Sequence, residues 1–229
     1  MTGAARVLAA ELEWFASVLE ARLKAYFASS SSSPPLSELQ LLPPDLLPEQ
    51  SAYAEYIVRH ELSTDERLTV LLALAPHVRP QLLDVLATRN QTTQRPFSEF
   101  GGNELASGAF VPTLQTALIP LAGDDLERRW HYLSMFDPGQ ALSRFDILRS
   151  AGVAPPEPEV AAPLLVSQRF LALATRGKDT APRFDQQFPA QRVETKLSWT
   201  DLVLPEATAA ELDEICQWIE HSHTLMRDW

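Results

Sequence analysis

Residues 63–86 read STDERLTVLLALAPHVRPQLLDVL, and this stretch decides the fold. Ser63 stands three residues before Glu66, the spacing of a capping box, so a helix starts here. Leu68, Val70, Leu71, Leu72, Leu74 and Ala75 are apolar nearly all round that helix, which predicts burial on every side. Pro76 and Pro80 punctuate it. Pro80 suits the first turn of a further helix, where its missing N–H costs little, and Leu82, Leu83, Val85 and Leu86 follow. Upstream, residues 51–61 form another short helix with Tyr53, Tyr56 and Ile57 inward. Three short helices with tight connections are what a helix-turn-helix or winged-helix core requires. The expected class is mainly α with a small β component, with the centre of the core between Leu68 and Leu86.

Working toward the C-terminus, residues 90–107 are polar and glycine-bearing, with Phe97 and Phe100 embedded. That is long for a structureless connection and predicts an ordered, wing-like loop. Gly101 and Gly102 allow backbone conformations other residues avoid. Residues 110–113 are short and extended. Thr113 caps a helix through Leu114, Ala117, Leu118 and Ile119, which Gly123 ends. Asp124 starts the next, with Leu126, Trp130, Leu133 and Met135. Residues 145–148 read as a strand or short helix, 155–163 as a proline-rich loop, and 166–174 as a helix ended by Gly177. Residues 178–191 read as irregular and 193–197 as a strand.

Working toward the N-terminus, residues 29–50 combine a serine tract with Pro34, Pro35, Pro43, Pro44 and Pro48. Proline breaks regular structure and serine adds no core, so this is expected to be a linker. It docks, if at all, through Leu36, Leu39, Leu41, Leu42, Leu46 and Leu47. Residues 1–28 hold an amphipathic helix whose stripe runs through Val7, Leu8, Leu12, Phe15, Leu19, Leu23 and Tyr26. Trp14 and Val18 widen the stripe, which favours a helix docked on its own domain over a self-association seam. The expected organisation is thus 1–28 helix, 29–50 linker, 51–195 winged-helix-like domain, and 196–229 a further segment.

Composition sets the limits on function. The chain has 229 residues, 45% of them hydrophobic, enough for a sizeable core. With 30 acidic against 19 basic residues the formal charge is −11, which disfavours a broad duplex-DNA surface. Cys216, the one cysteine, excludes an intrachain disulfide and fits a reducing compartment. Arg6, Glu11 and Glu13 interrupt the N-terminal apolar pattern, and no apolar run is long enough to span a bilayer. A cytoplasmic protein with no membrane partner is expected.

The last stretch, residues 198–229, reads SWTDLVLPEATAAELDEICQWIEHSHTLMRDW. An extended apolar piece, 199–204, leads to Pro205 and a helix whose apolar residues are Ala207, Ala210, Leu212, Ile215, Cys216, Trp218, Ile219 and Leu225. An aromatic helix face at the end of the sequence suggests a chain cut before its packing partner. The stretch resembles the lead-in segment of AAA-type ATPase modules, a short strand and turn followed by an amphipathic helix. Its W-x-D-L-V-L-P-E, W-I and L-M-R-D-W phrases look like the ATPases of phage-tail-like contractile injection systems. The phrases at Phe100–Gly102, Phe110–Thr113, Leu121–Arg129 and Phe188–Ala190 resemble the winged-helix-like N-terminal domain of those chains. The resemblance implies a substrate- or partner-recognition domain ahead of a hexameric motor, binding protein partners and the ATPase core in cis. It also implies ATP and Mg for the full-length protein, with Asp201, Leu202 and Val203 on the adenine side once that core is present. Leu204 stands where the family usually has glycine.

The chain by itself lacks the pattern G-x-x-x-x-G-K-[ST]: Gly177-Lys178 is followed by Asp179 and has no glycine five residues before it. ATP hydrolysis by this stretch alone is therefore not expected, and no cofactor is expected in it. His221 and His223 are two apart, which on a helix points them to different sides, so they read as surface or packing residues rather than metal ligands. Asp124, Asp125 and Glu127 read as helix-start acids rather than a catalytic cluster. Arg89, Arg95, Arg128, Arg129 and Arg144 are a candidate basic patch, the feature a winged-helix nucleic-acid binder or transcription regulator would use. A standalone helical scaffold is the remaining alternative. Self-association through the terminal helices is a further expectation.

Overall fold

The structure, a computed structural model, describes residues 3–28, 39–105, 108–150, 152–153, 155–178, 201 and 203–228. The chain divides into two units, Met1–Pro182 and Arg183–Trp229. The first begins with α1 (Gly3–Phe27), α2 (Ala52–Arg59) and α3 (Thr64–Val78). Helix α3 starts on the expected capping box: the Glu66 amide donates to Ser63 Oγ (3.2 Å) and the Ser63 amide to Glu66 Oε2 (2.7 Å). Every residue from Leu68 to Ala75 is buried, so the all-round apolar pattern does mark the centre of the core. Proline disfavours α conformation in the residue before it, and Arg79 leaves the helix at φ −152°, ψ 66°. The chain turns by 102° into Pro80–Ala87, which is a 3-10 helix. Leu83 and Leu86 are its buried pair, three apart, matching three residues per turn.

The described residues 90–105 form part of a short antiparallel hairpin. A bridge joins Arg89 to Pro96, a 3-10 turn covers Ser98–Phe100, and β1 (Asn103–Glu104) pairs antiparallel with β2 (Phe110–Val111). Gly102 takes φ 81° at its base, and a Cβ there would run into the Phe110 ring. Its amide donates to Thr113 Oγ1 at 3.1 Å, and Thr113 in turn caps α4 (Leu114–Ala122). Gly123 ends α4 as expected. The next helix, α5 (Leu126–Leu133), is capped by Asp125 rather than Asp124, because the Asp125 carboxylate accepts from the Arg128 amide at 3.0 Å. A short α6 (Ala141–Arg144) leads into β3 (Leu148–Ser150), which pairs antiparallel with β4 (Leu164–Val166). Thus 145–148 is mostly turn, with only Leu148 in a strand, and Val166 belongs to β4. Ser167 caps α7 (Gln168–Arg176), and Gly177 closes it in the left-handed conformation. The described first unit is mainly helical, with two two-stranded sheets.

Helix α1 lies in the same hydrophobic core as α3, α4 and α7: Leu12, Phe15, Val18, Leu19 and Leu23 are buried there. Residues 39–50 are held against that core rather than spanning a gap. Leu39, Leu41 and Leu46 pack on it, and Trp14 Nε1 donates to the Leu41 carbonyl at 2.9 Å. Leu42 and Leu47 point outward instead. Leu39, Leu41 and Leu46 are thus the expected docking leucines that do pack, and Pro43, Pro44 and Pro48 permit an extended chain to lie along apolar surface without being part of a helix.

The second unit contains α8 (Glu206–Asp228), introduced by Pro205. Its expected buried face is open along the described side chains: Ile215 and Trp218 are more than half exposed, and Leu212 is half-buried. Cys216, counted with the apolar residues of this helix, is exposed. The strand expected at 193–197, the serine tract, Leu36 and half of 199–204 lie outside the described residues. No single described helix is long and apolar enough to cross a membrane.

Candidate functional site

The outer edge of α1 and the 3-10 helix after α3 form an apolar groove of about 570 Å³. Leu19, Leu23 and Phe27 line one wall at intervals of four, the repeat that stacks side chains along a helix. Leu82 and Val85, three apart, line the other. Val85 is 41% exposed and Phe27 53%, so both present apolar surface to solvent. Glu20 and Lys24 form an exposed i,i+4 ion pair (2.7 Å) on the rim, and the Lys24 hydrogen bond lowers the Glu20 pKa. At one end, Tyr26 and Phe27 meet Phe97 and Phe100 from the hairpin. Ring centroids are 5.2 Å apart for Phe97 and Phe100, 5.3 Å for Tyr26 and Phe100, and 5.6 Å for Phe27 and Phe97. These are edge and tilted contacts of the kind aromatic quadrupoles favour. The sequence flagged the two hairpin phenylalanines without their partner; the partner is the last turn of α1.

The core also holds buried polar groups that sequence reasoning missed. Glu11 is fully buried on α1. Its carboxylate accepts from the Tyr53 hydroxyl (2.8 Å) and from Arg67 Nη2 (2.5 Å). Arg67 also donates to the Pro44 carbonyl (2.8 Å) and lies over the Trp14 ring, 5.4 Å from its centroid. Burial, then the neighbouring carboxylate, pushes the Tyr53 hydroxyl well above its ordinary pKa, so it stays a donor. Arg22, 2% exposed, donates to the carbonyls of Pro120 (3.1 Å) and Leu121 (3.2 Å), which closes the C-terminus of α4. Burial lowers the Arg22 pKa. Tyr132 donates to Asp65 Oδ2 at 3.2 Å. Burial raises both, the tyrosine to about 12. The available signal was position: Glu11 is three after Leu8 and four before Phe15, and Arg22 three after Leu19, so both lie on the apolar stripe. Charged residues there must be paired. These groups are saturated with internal hydrogen bonds, which fits a positioning role for them.

Four of the five arginines of the candidate basic patch are engaged by neighbouring side chains. Arg89 pairs with Glu104 (3.2 Å) across the hairpin, Arg128 with Asp125 (3.0 Å), and Arg129 with Glu99, while Arg144 lies over Phe145. Residues 80–87, expected as the third helix of a winged-helix core, wind as a 3-10 helix with three residues per turn instead of an α-helix. Of the adenine-side trio, Asp201 and Val203 are exposed, Val203 almost fully, and Leu202 lies outside the described residues. His221 is exposed. Among the described residues no group of three His, Cys, Asp or Glu side chains is placed to hold a metal ion. No family model, curated protein or solved structure matches the chain.

Proposed function

We propose that this chain is a non-catalytic, winged-helix-like recognition domain that couples a protein substrate or partner to the core of a hexameric AAA-type motor. The observation that carries the reading is the apolar groove between α1 and residues 80–87, backed by the four-ring cluster. Such a groove takes apolar side chains of a protein, whereas a nucleic-acid surface needs unpaired cations, and here Arg89, Arg128 and Arg129 are in ion pairs. The motor assignment rests on the resemblance of the lead-in segment at 198–229 and of the phrases at 100–102, 110–113, 121–129 and 188–190, and it implies a cytoplasmic protein beside a contractile, phage-tail-like particle. In the full motor, ATP and Mg would be held by residues beyond this chain, with Asp201, Leu202 and Val203 on the adenine side.

The test is the natural reading frame after Trp229. A G-x-x-x-x-G-K-[ST] motif within about 30 residues supports the reading. A stop codon, or an unrelated domain, removes the motor and leaves the standalone scaffold. Retention of this chain on a DNA column, lost steeply with salt, would instead favour the regulator.

A further inference from the structure

A second exposed apolar surface lies on α5. Leu126 is 63% and Trp130 68% exposed, and at i,i+4 they share one face of the helix. Leu133, three further on, continues that face. It forms a wall of a separate cleft of about 330 Å³, with Leu114, Phe136 and Val160. Two carboxylates, Asp137 and Glu159, also line this cleft, and both residues are exposed. Neither is in an ion pair among the described residues. The nearby cations are neutralised: Arg128 pairs with Asp125 and Arg129 with Glu99. The surface is therefore an apolar ridge that runs into a cleft of mixed polarity, with apolar walls and two carboxylates.

We propose that this ridge and cleft bind a segment of a protein partner in which apolar anchors are flanked by lysine or arginine. Trp130 is the anchor-type residue: a large, stiff, amphipathic side chain of the kind that dominates binding energy at protein interfaces. Asp137 and Glu159 select the sign of charge, since complementary charge at an interface sets specificity and encounter rate more than raw affinity. The net charge of −11 acts in the same direction at long range. A scattered exposed leucine needs no partner. A leucine and tryptophan stacked on one helix face, leading into a cleft with unneutralised carboxylates, form a directed surface. The inference does not depend on the motor assignment, which the downstream reading frame tests separately.

The experiment uses the whole chain and a fluorescein-labelled amphipathic 14-residue peptide of leucine and lysine, with a leucine and glutamate peptide as control, read by anisotropy. The lysine peptide is expected to bind and the glutamate peptide not. Trp130→Ala with Leu126→Ser should weaken binding about tenfold or more, a change that corresponds to about 1.4 kcal/mol. Asp137→Asn with Glu159→Gln should weaken it several-fold and flatten its salt dependence. All four positions are exposed, so the variants keep the fold, checked by circular dichroism. Absence of binding, or equal binding by the Trp130 variant, overturns the proposal: attraction would then be to the acidic chain in general. Loss of binding on Val85→Asp in the groove, with the Trp130 variant unaffected, moves the site to the groove and also overturns it. So does a dimer of the chain that Trp130→Ala dissociates, since the occupant is then a second copy.

Discussion

Arg67 of α3 reaches Glu11 of α1 with 2.5 Å between Nη2 and Oε1, and the Glu11 side chain is shut off from solvent completely. The pair crosses the helix–helix seam and fixes which residue of α1 faces which residue of α3. Tyr53 from α2 adds a third helix to the same carboxylate. A buried pair is weak evidence for net stability, because two desolvated charges lose most of what their attraction gains. Removing one partner is another matter, because the other charge is left alone in the core.

Glu11→Leu is therefore expected to destabilise the first unit by about 3–5 kcal/mol in guanidinium melts. Adding Arg67→Met should recover a large part of that loss, since the orphaned cation goes too. A single substitution that costs less than about 1 kcal/mol would mean that water reaches Arg67 and the seam is looser than the geometry states.

Leu72→Ala is expected to cost about 2–5 kcal/mol, for a different reason. Leu72 is fully buried in the middle of α3, where neighbours on all sides prevent collapse around the cavity. A change under about 0.5 kcal/mol, the range of surface substitutions, would place α3 at the periphery.

That helix was the most legible part of the sequence, and the contrast with α1 is instructive. In α3 the capping box, the apolar density and Pro80 agree, and local signals alone locate both ends. In α1 the apolar stripe is equally clear, but its polar members Glu11 and Arg22 acquire meaning only from Tyr53, Arg67 and the α4 carbonyls, which are 42 to 99 residues away. Long-range partners leave no periodic trace. The groove is illegible for the same reason: Phe27 and Val85 each look like ordinary edge residues until the 102° turn brings the 3-10 helix beside α1. The ridge on α5 could have been read, since Leu126 and Trp130 are four apart, but the pattern is the same whether that face is covered or open.

The stability of the chain should carry a mark of Asp65 against pH. Burial raises its carboxyl above the ordinary 3.8, opposed by the Tyr132 hydrogen bond. The folded chain then holds this proton more tightly than the unfolded one. The contribution favours the fold below the unfolded value and is lost as pH rises through the folded value. The stability of wild type minus that of Asp65→Asn should fall with rising pH across the carboxylate range and level off above it. A rise over the same interval would show that the helix dipole and Tyr132 outweigh burial.

Phosphate release from ATP should not exceed the buffer blank when the purified chain is assayed with Mg. The reason is chemical: the glycine-rich loop whose amides cradle phosphates is missing from the sequence. Release that scales with protein, and that persists through a second purification step, would sink both this expectation and the recognition-domain reading.

Removing residues 205–229 tests where the first unit ends. Among the described residues the hydrophobic core of the first unit runs from Leu8 to Ala174, on α1 to α7 and the segments between them. Helix α8 is 23 residues long, with Ile215 and Trp218 open. Helices of this kind draw most of their stability from packing an apolar face, and burying one such side chain is worth about 1.5–3 kcal/mol. A face left open is expected to find a partner, and a second copy is the one always present in a purified sample. The shortened chain should keep its guanidinium midpoint for the first unit, lose helical signal in proportion to the residues removed, and show a smaller sedimentation coefficient if the parent self-associates at the same concentration. A fall in the midpoint, or loss of the unfolding transition, would show that α8 belongs to the core of the first unit, and the boundary at Pro182 would have to move.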